Sequence, residues 1–365
     1  MTTLQTINSL GQSIWYDNIQ RELLVNGELQ RLIDLGVTGV TSNPTIFEKA
    51  IVGSTAYDDA LRQLLPHVAT VEEVYETLAL EDIRHTADLL RPVYDRTHGA
   101  DGYVSLEVSP RLAHNTAGTL AEAQRLFAAL DRPNVMIKIP GTVAGIPAIM
   151  QAIGAGININ VTLLFSLEQY AAVIDAYMEG LELLLAQGGD VRQMASVASF
   201  FVSRVDTLVD KALQQRGNTN LQGTIAIANA KLAYARFQEL FRGERWAQLA
   251  ARGARVQRPL WASTGTKNAA YSDTLYVDHL IGRDTVNTMP PATLLATLDH
   301  ATVAATLEAG LDQARHQIAQ LQDLDIDLPA ITRQLQEDGV AAFAASFESV
   351  MTGIAAKCER LLVAS

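Results

Sequence analysis

A single lysine interrupts the apolar segment Val135–Thr142. Val and Ile at alternate positions are typical of a buried β-strand, and the Pro-Gly pair that follows marks its end. Because side chains alternate along a strand, Lys138 lies on the face opposite the branched residues and points into whatever the sheet encloses. A fully buried ammonium is rarely left without a partner. Lys138 therefore either pairs with a carboxylate as a structural residue or serves as a reactive amine.

Further polar residues lie in or directly after other short apolar runs, where they could meet Lys138. They comprise two carboxylates, two amides, three hydroxyls, an arginine and a second lysine: Asp17, Glu107, Asn43, Asn160, Thr162, Ser199, Ser263, Arg204 and Lys267. Each has a structural alternative: Asn43-Pro44 is a common turn start, Glu107 could be the ion-pair partner of Lys138, and the hydroxyls could bond to the backbone. Together they favour a reactive site, because buried polar groups cost stability unless they are satisfied.

These residue types suit Schiff-base catalysis on a ketone. A neutral lysine amine attacks the carbonyl, and the resulting iminium serves as an electron sink. Burial in an apolar barrel favours neutral Lys138, whereas a close Glu107 carboxylate opposes it. Water must leave the carbinolamine and later return, and Glu107 with Thr162 and a water could relay the protons. Asp17 is then the free carboxylate for carbon–carbon cleavage, and the two asparagines could bind substrate hydroxyls.

Eight short apolar runs would position these residues. They are Ser13–Asp17, Val37–Ser42, Tyr103–Val108, Val135–Ile139, Ile157–Phe165, Ala195–Val202, Val256–Ser263 and Asp284–Thr288. The segments between them are predicted to be helical, since Thr70–Glu73 and Ser166–Gln169 are capping boxes and Thr224–Gly243 is rich in alanine. The second capped helix should end near Gly188-Gly189.

The alternation of strands and helices predicts βα units around a parallel sheet, and eight units suit a (β/α)8 TIM barrel. A doubly wound open sheet is the alternative, but no Gly-x-Gly-x-x-Gly follows an early strand. In a barrel the C-terminal strand ends carry the chemistry, so the polar residues would converge there.

We predict one domain over residues 1–365, in which residues 291–365 form a helical C-terminal extension packed on the barrel. An apolar stripe in this extension is predicted to face the barrel and close it: Ala342, Phe343, Phe347, Met351 and Ile354. The sequence gives no indication of a further role for these helices.

Composition restricts the class of protein. A formal net charge of −12 disfavours nucleic acid and anionic membranes as partners, so a small anionic substrate would need a local basic patch. The single cysteine, Cys358, excludes a disulfide framework and any zinc site built on cysteines. We found no run of about 18 apolar residues and no signal pattern at the N-terminus, and therefore predict no membrane span and a cytoplasmic protein.

Several stretches together resemble the transaldolases, Schiff-base enzymes of the pentose phosphate pathway. The matching stretches are Gly39–Phe47, Met136–Thr142, Asn158–Ser166, Ser199–Asp206, Trp261–Asn268 and Asp284–Pro290. With Asp17 they cover most of the chain, and the Trp261–Asn268 stretch and the chain length are similar to the longer bacterial, mycobacterial-type branch. The resemblance implies the barrel fold and transfer of a dihydroxyacetone unit from sedoheptulose 7-phosphate to glyceraldehyde 3-phosphate, giving erythrose 4-phosphate and fructose 6-phosphate.

The resemblance also implies roles for the residues. Lys138 would be the nucleophile, Asp17 the acid/base for bond cleavage, and Glu107 with Thr162 the proton relay. The substrate would be held by Asn43, Asn160 and Ser199 at the dihydroxyacetone end and by Arg204, Ser263 and Lys267 at the phosphate. Phe201, on the sixth strand near Ser199, would be a further substrate-binding residue. Sugar phosphates are the implied partners, with no metal or organic cofactor; oligomeric state is left open, a homodimer included.

Two positions bear on the choice within this family. Many transaldolases carry an arginine two positions after the serine that Ser263 matches; here Gly265 stands there and Lys267 is the nearest cation. A lysine binds phosphate as a point charge rather than as a bidentate fork. The rival activity within the family is that of fructose 6-phosphate aldolase. Those relatives look shorter, with glutamine at the position of Glu107 and tyrosine at the position of Phe201, so both positions here favour transaldolase. A catalytically silent sugar-phosphate-binding barrel is the rival from another class.

Overall fold

A computed structural model describes residues 1–363 of the chain, and its centre is a closed barrel of eight parallel strands in sequence order. The strands are β1 (Gln12–Tyr16), β2 (Gly39–Thr41), β3 (Val104–Glu107), β4 (Val135–Pro140), β5 (Ile159–Leu164), β6 (Ser196–Phe201), β7 (Arg258–Ala262) and β8 (Thr285–Met289). Each overlaps one of the eight apolar runs, so the predicted (β/α)8 barrel is confirmed. β1 begins one residue before its predicted run, and β4 and β8 each end one residue after theirs.

Helices connect the strands and continue beyond the last one. They are α1 (Thr3–Ser9), α2 (Arg21–Val25), α3 (Glu28–Leu35), α4 (Pro44–Phe47), α5 (Asp58–Leu64), α6 (Val71–Arg96), α7 (Thr116–Leu130), α8 (Gly145–Gly154), α9 (Leu167–Ala186), α10 (Ser203–Gln215), α11 (Ile225–Leu240), α12 (Glu244–Ala251), α13 (Leu275–His279), α14 (Pro291–His300), α15 (Leu311–Asp323) and α16 (Leu328–Val363). A π-helical turn spans Glu48–Val52, and 3₁₀ turns span Pro110–Leu112 and Val191–Gln193.

The two predicted capping boxes begin the long helices α6 and α9. Thr70 Oγ1 accepts from Glu73 N at 3.2 Å, and the Glu73 carboxylate accepts in return from Thr70 N at 3.0 Å. Ser166 and Gln169 make the same reciprocal pair at the start of α9. Each box satisfies backbone N–H groups that have no partner within the helix. α9 ends at Ala186, next to the predicted glycine pair.

The alternation seen in β4 decides which side chains face the barrel interior. Val135, Ile137 and Ile139 are fully buried, and α7 and α8 contact this strand from outside. Lys138 therefore faces inward, as predicted. Its strand neighbours are in register, with Glu107 beside Lys138 on β3 and Asn160 beside it on β5.

Helix α16 lies over the C-terminal end of the barrel. It contacts α4, α6, α10 and β5, and its buried side chains follow the helical period. Phe343, Phe347, Met351 and Ile354 belong to this buried stripe, as predicted. Ala342 does not, because it is exposed, and Val350 takes the place on the inward face.

Two further findings concern the segment after β8. α14 packs against α1 and β8 and is thus the eighth helix of the barrel ring, so within residues 1–363 only α15 and α16 come after the ring. By length and composition α16 is also long and apolar enough to cross a membrane, which the search for an uninterrupted apolar run did not reveal. In this structure the helix packs on the barrel, and its Lys357 donates to Ile51 O at 2.9 Å and pairs with Asp58 at 2.7 Å.

Candidate active site

The Lys138 amine lies at the centre of the candidate site. Nζ donates to Ser42 O at 3.1 Å and lies 3.3 Å from Glu107 Oε2, and both side chains of this ion pair are about 95% buried (6% and 5% exposed). The ion-pair partner considered from the sequence is therefore present. Such a pair holds a proton between a potential nucleophile and a potential acid.

Glu107 and Thr162 lie on the two strands that flank Lys138. Burial raises the pKa of the Glu107 carboxyl, and the charge of Lys138 acts in the opposite direction. Thr162 pairs in register with Pro140, two residues beyond Lys138 toward the mouth of the barrel. Its buried Oγ1 has no hydrogen-bond partner within residues 1–363. A buried hydroxyl is normally satisfied, so this one suits a water or a substrate oxygen.

Asp17 follows the end of β1 and is the second carboxylate of the site. Thr41 Oγ1 donates to Asp17 Oδ1 at 2.7 Å and also contacts Thr288 Oγ1 at 2.6 Å. Burial raises the pKa of the Asp17 carboxyl; the charges of Lys138, Lys267 and Arg204 and the hydrogen bond from Thr41 oppose that rise. All three predicted cations thus act on one carboxylate, which places them around the same space.

Asn160 of β5 is fixed by two hydroxyls, one on β3 and one on β6. Its Nδ2 donates to Ser105 Oγ at 3.0 Å, and its Oδ1 accepts from Ser199 Oγ at 2.8 Å. Asn43 has a different local role: its Oδ1 accepts from Ile46 N at 3.0 Å and caps the short helix α4. Oδ1 of Asn43 thus has the structural role that the sequence suggested, at the start of a turn. A role of Asn43 in substrate binding stays a prediction.

Arg204 occupies the first turn of α10 with its guanidinium over the ring of Phe201, 5.2 Å from the centroid. Phe201 packs in turn on Phe165 at 5.2 Å. Burial lowers the pKa of Arg204, and the charge of Asp17 opposes this. Among the residues that the structure describes, the Arg204 guanidinium has neither an ion pair nor a hydrogen-bond partner. A partly buried guanidinium with five unused donors is suited to an anionic ligand.

Ser263 and Lys267 follow β7 on the same side as Arg204. Ser263 has a φ of 57°, and its Oγ lies 2.9 Å from Ser203 Oγ, beside the start of α10. Left-handed backbone at a residue other than glycine is uncommon and concentrates at functional sites. Lys267 is exposed on the loop beyond. It can reach an anion only as a flexible point charge.

Four residues that contact the predicted site were not identified as site residues from the sequence. Ser105 lies two residues before Glu107 and shares its strand face, so the alternation could have indicated it. Thr41 and the Ser42 carbonyl lie at the end of β2, where the apolar run itself gave no signal. The fourth is Phe343 of α16, whose ring centroid is 5.6 Å from Lys138 Nζ. More than 200 positions separate it from Lys138 along the chain, and no local pattern connects the two.

Comparison with known proteins agrees with this geometry. A family model described as transaldolase/fructose-6-phosphate aldolase matches residues 14–354. The chain belongs to this family. It is 49% identical to "Transaldolase 1" of Streptomyces avermitilis, covering 96% of this chain and 94% of that protein. It is 48% identical to the transaldolase of Thiobacillus denitrificans, covering 97% and 100%, and 46% identical to "Transaldolase 2" of a Nostoc species, covering 98% of both. The family resemblance read from the sequence is confirmed, and the chain has the length of these relatives.

Proposed function

We propose that this protein is a transaldolase that moves a three-carbon dihydroxyacetone unit between sugar phosphates. The observation that carries the proposal is the buried Lys138–Glu107 pair, which lies where the strands of the barrel end and beside a second carboxylate, Asp17. The three relatives described above are named transaldolases, and we assign sugar-phosphate substrates to this chain on that basis.

Formation of the Schiff base begins at Lys138. The neutral amine attacks C2 of the bound ketose, and Glu107, whose carboxyl is kept easily protonated by burial, supplies the proton that lets the C2 oxygen leave as water. Thr162 Oγ1 would hold that water between steps. Asn160, fixed by Ser105 and Ser199, is placed to bind the hydroxyls at the dihydroxyacetone end.

Cleavage follows at the C3–C4 bond. Asp17 removes the proton of the C4 hydroxyl, the bond electrons pass into the iminium, and the aldose leaves with its phosphate. An enamine of three carbons stays on Lys138. The acceptor aldehyde then adds to the same carbon by the reverse steps, and Asp17 returns the proton to the new hydroxyl. Arg204 holds the phosphate of donor and acceptor, with Ser263 and Lys267 beside it.

Fructose 6-phosphate aldolase is the second candidate, since the family includes both activities. The two share the lysine and the first half of the reaction, and they differ in whether the enamine meets an aldehyde or water. Two residues of the site favour transaldolase over the aldolase. They are Glu107 and Phe201, which lies buried beside Arg204, since the aldolases resemble proteins with glutamine and tyrosine at these positions. We also place the activity in the cytoplasm, in keeping with an acidic chain and sugar-phosphate substrates.

Reductive trapping tests the proposal. Incubation with fructose 6-phosphate and borohydride should add a reduced three-carbon unit to Lys138, located by peptide mapping. Lys138→Arg should give no adduct and no turnover, because a guanidinium stays protonated and cannot be the nucleophile. Lys231→Arg is a matched control. This buried lysine of α11 donates to Thr306 O and Ala309 O and contacts none of the site residues named above. Its replacement should leave the adduct on Lys138 in place. An adduct on another lysine, or none, contradicts the mechanism.

A further inference from the structure

An aromatic ring from the C-terminal helix lies over the Lys138 amine. The centroid of Phe343 is 5.6 Å from Nζ, within the range of a cation–π contact, and the ring is itself buried. Phe201, by contrast, lies beneath Arg204 and against Phe165. The apolar surface beside the reactive nitrogen therefore comes from α16 as well as from the barrel.

Hydrogen bonds fix α16 on both sides of Phe343. Two turns before it, Gln336 Nε2 donates to Gly141 O at 2.8 Å and to Leu163 O at 3.2 Å, the backbone directly beyond Lys138 and Thr162. One turn after it, Ser346 Oγ contacts Thr45 Oγ1 at 2.8 Å. The helix is thus attached to the ends of β2, β4 and β5, and the ring has little freedom to leave.

Gly339 shows how closely the helix approaches between these attachments. A Cβ at this position would lie 2.8 Å from Leu163 Cδ2 and 3.7 Å from Arg204 Nη1. Glycine inside a helix is unfavourable relative to alanine by about 1 kcal/mol, so its presence here is consistent with the need for close contact. α16 therefore forms one wall of the space shared by Lys138 and Arg204.

We infer that Phe343 is a specificity-determining residue, whose ring controls whether the three-carbon enamine on Lys138 meets water or an acceptor aldehyde. The inference rests on the proposed function. A phenyl ring neither donates nor accepts a hydrogen bond and cannot hold a water as a proton donor for the enamine carbon. An aldehyde, which enters with its phosphate held by Arg204, does not need that position.

The two fates of the enamine differ in one bond. In hydrolysis C3 takes up a proton to give the iminium, water adds to C2, and the C2–N bond breaks. The oxygen of the water becomes the carbonyl oxygen of dihydroxyacetone, and its two protons end on the Lys138 nitrogen. In transfer C3 instead bonds to the aldehyde carbon, whose oxygen takes the proton. In both routes water then adds to C2 of the iminium and the product leaves Lys138, so the routes differ only at C3. The first route needs a water there as a proton donor while no aldehyde is bound, beside the Phe343 ring.

The experiment compares Phe343→Ala and Phe343→Leu with the wild type in the full chain. Two rates are measured: release of dihydroxyacetone from fructose 6-phosphate alone, and transfer to erythrose 4-phosphate. Phe343→Ala should raise the ratio of release to transfer about tenfold, which corresponds to about 1.4 kcal/mol in relative barrier height. Phe343→Leu keeps most of the apolar volume and should raise the ratio less.

Phe347→Ala is the matched control. Phe347 lies one turn further along α16, is buried to the same extent, and packs on Tyr75 at 5.4 Å instead of on Lys138. The Phe347→Ala variant should be less stable than the wild type, with an unchanged ratio of dihydroxyacetone release to transfer. An equal rise in Phe347→Ala would mean that displacement of the helix, not the ring, admits water, and the role of Phe343 would be wrong.

Borohydride trapping separates this inference from the proposed function. If the wild type forms the Lys138 adduct and both Phe343 variants keep the wild-type ratio, the inference is wrong and the proposed function stands. If the wild type forms no adduct, the proposed function itself is wrong. If Phe343→Ala does not fold, the leucine variant decides, because an unchanged ratio there contradicts the inference.

Discussion

Arg204→Ala offers the clearest quantitative test of how an acidic protein binds an anionic sugar. The guanidinium lies in a partly buried position over Phe201, without an ion pair or hydrogen bond to any residue of the described chain. Removing it therefore leaves no protein group newly unpaired. The loss should appear in the binding of the phosphate and not in the stability of the fold.

The expected size follows from the geometry of the fork. Hydrogen bonds to a charged group contribute about 1.5–3 kcal/mol each, and a guanidinium binds phosphate through two. Loss of about 2–4 kcal/mol lowers kcat/KM for fructose 6-phosphate by roughly 30- to 1,000-fold, mainly through KM. For dihydroxyacetone as donor with an acceptor aldehyde that also lacks a phosphate, the change should stay within about threefold. The kcat/KM of Arg204→Lys for fructose 6-phosphate should lie between those of the wild type and Arg204→Ala, because a lysine offers a charge without the bidentate geometry.

Two measurements complete the assay. Arg315→Ala removes one positive charge from an exposed pair with Asp312 and should leave both substrates unaffected, which controls for the change in net charge. The charge of Arg204 also lowers the pKa of Asp17, so the acid limb of the pH–rate profile should move to higher pH in Arg204→Ala with either substrate. The comparison is therefore made well above that limb. An equal loss for fructose 6-phosphate and dihydroxyacetone would show that Arg204 is structural and would refute the reasoning.

Three further predictions concern single residues. Asp17→Ala should still form the borohydride-trapped adduct on Lys138 but slow carbon–carbon cleavage by about 10²–10⁴-fold, as is typical for loss of a general base; unchanged turnover would remove Asp17 from the mechanism. Phe201→Tyr should shift products toward free dihydroxyacetone, since a phenol can position water, and product analysis without acceptor measures the shift. Burial raises the pKa of Asp206 to about 7 from 3.8, so the protonated form is favoured in the fold and its contribution to stability is lost as pH rises from about 4 to about 7. Asp206→Asn should therefore gain stability relative to the wild type over that range, by up to about 4 kcal/mol in urea unfolding, and a difference independent of pH would contradict this.

The fold was predictable because its signals are local. Each strand is a short run of β-branched and apolar residues, and the capping boxes at Thr70 and Ser166 begin helices by satisfying their own backbone donors. Alternation along β4 was enough to direct Lys138 inward. Ala342 was assigned wrongly to the buried face of α16, since a small apolar residue next to the stripe is indistinguishable from a member by composition.

The candidate site was predictable only where it is built from strand ends. Asp17, Glu107 and Lys138 could be placed together because a parallel barrel brings all its C-terminal strand ends to one mouth. Phe343 could not, because its contact depends on how a helix far along the chain docks across that mouth. The same holds for the hydrogen bonds of Gln336 to the loops beyond β4 and β5. Contacts between segments far apart along the chain produce no periodic pattern in the sequence from which they could be predicted.

The Lys138–Glu107 pair shows why burial matters more here than the presence of either residue. In water the charged pair would be strongly favoured, and the amine would seldom be free to attack. In the barrel, burial raises the pKa of the Glu107 carboxyl, so this group takes up the ammonium proton more readily than it would in water. The pair thus passes more readily into neutral amine and carboxylic acid. Those are the two species that the first step needs, a nucleophile for C2 and a proton for its departing oxygen, and helix α16 helps to maintain the desolvation by covering the mouth in which the pair lies.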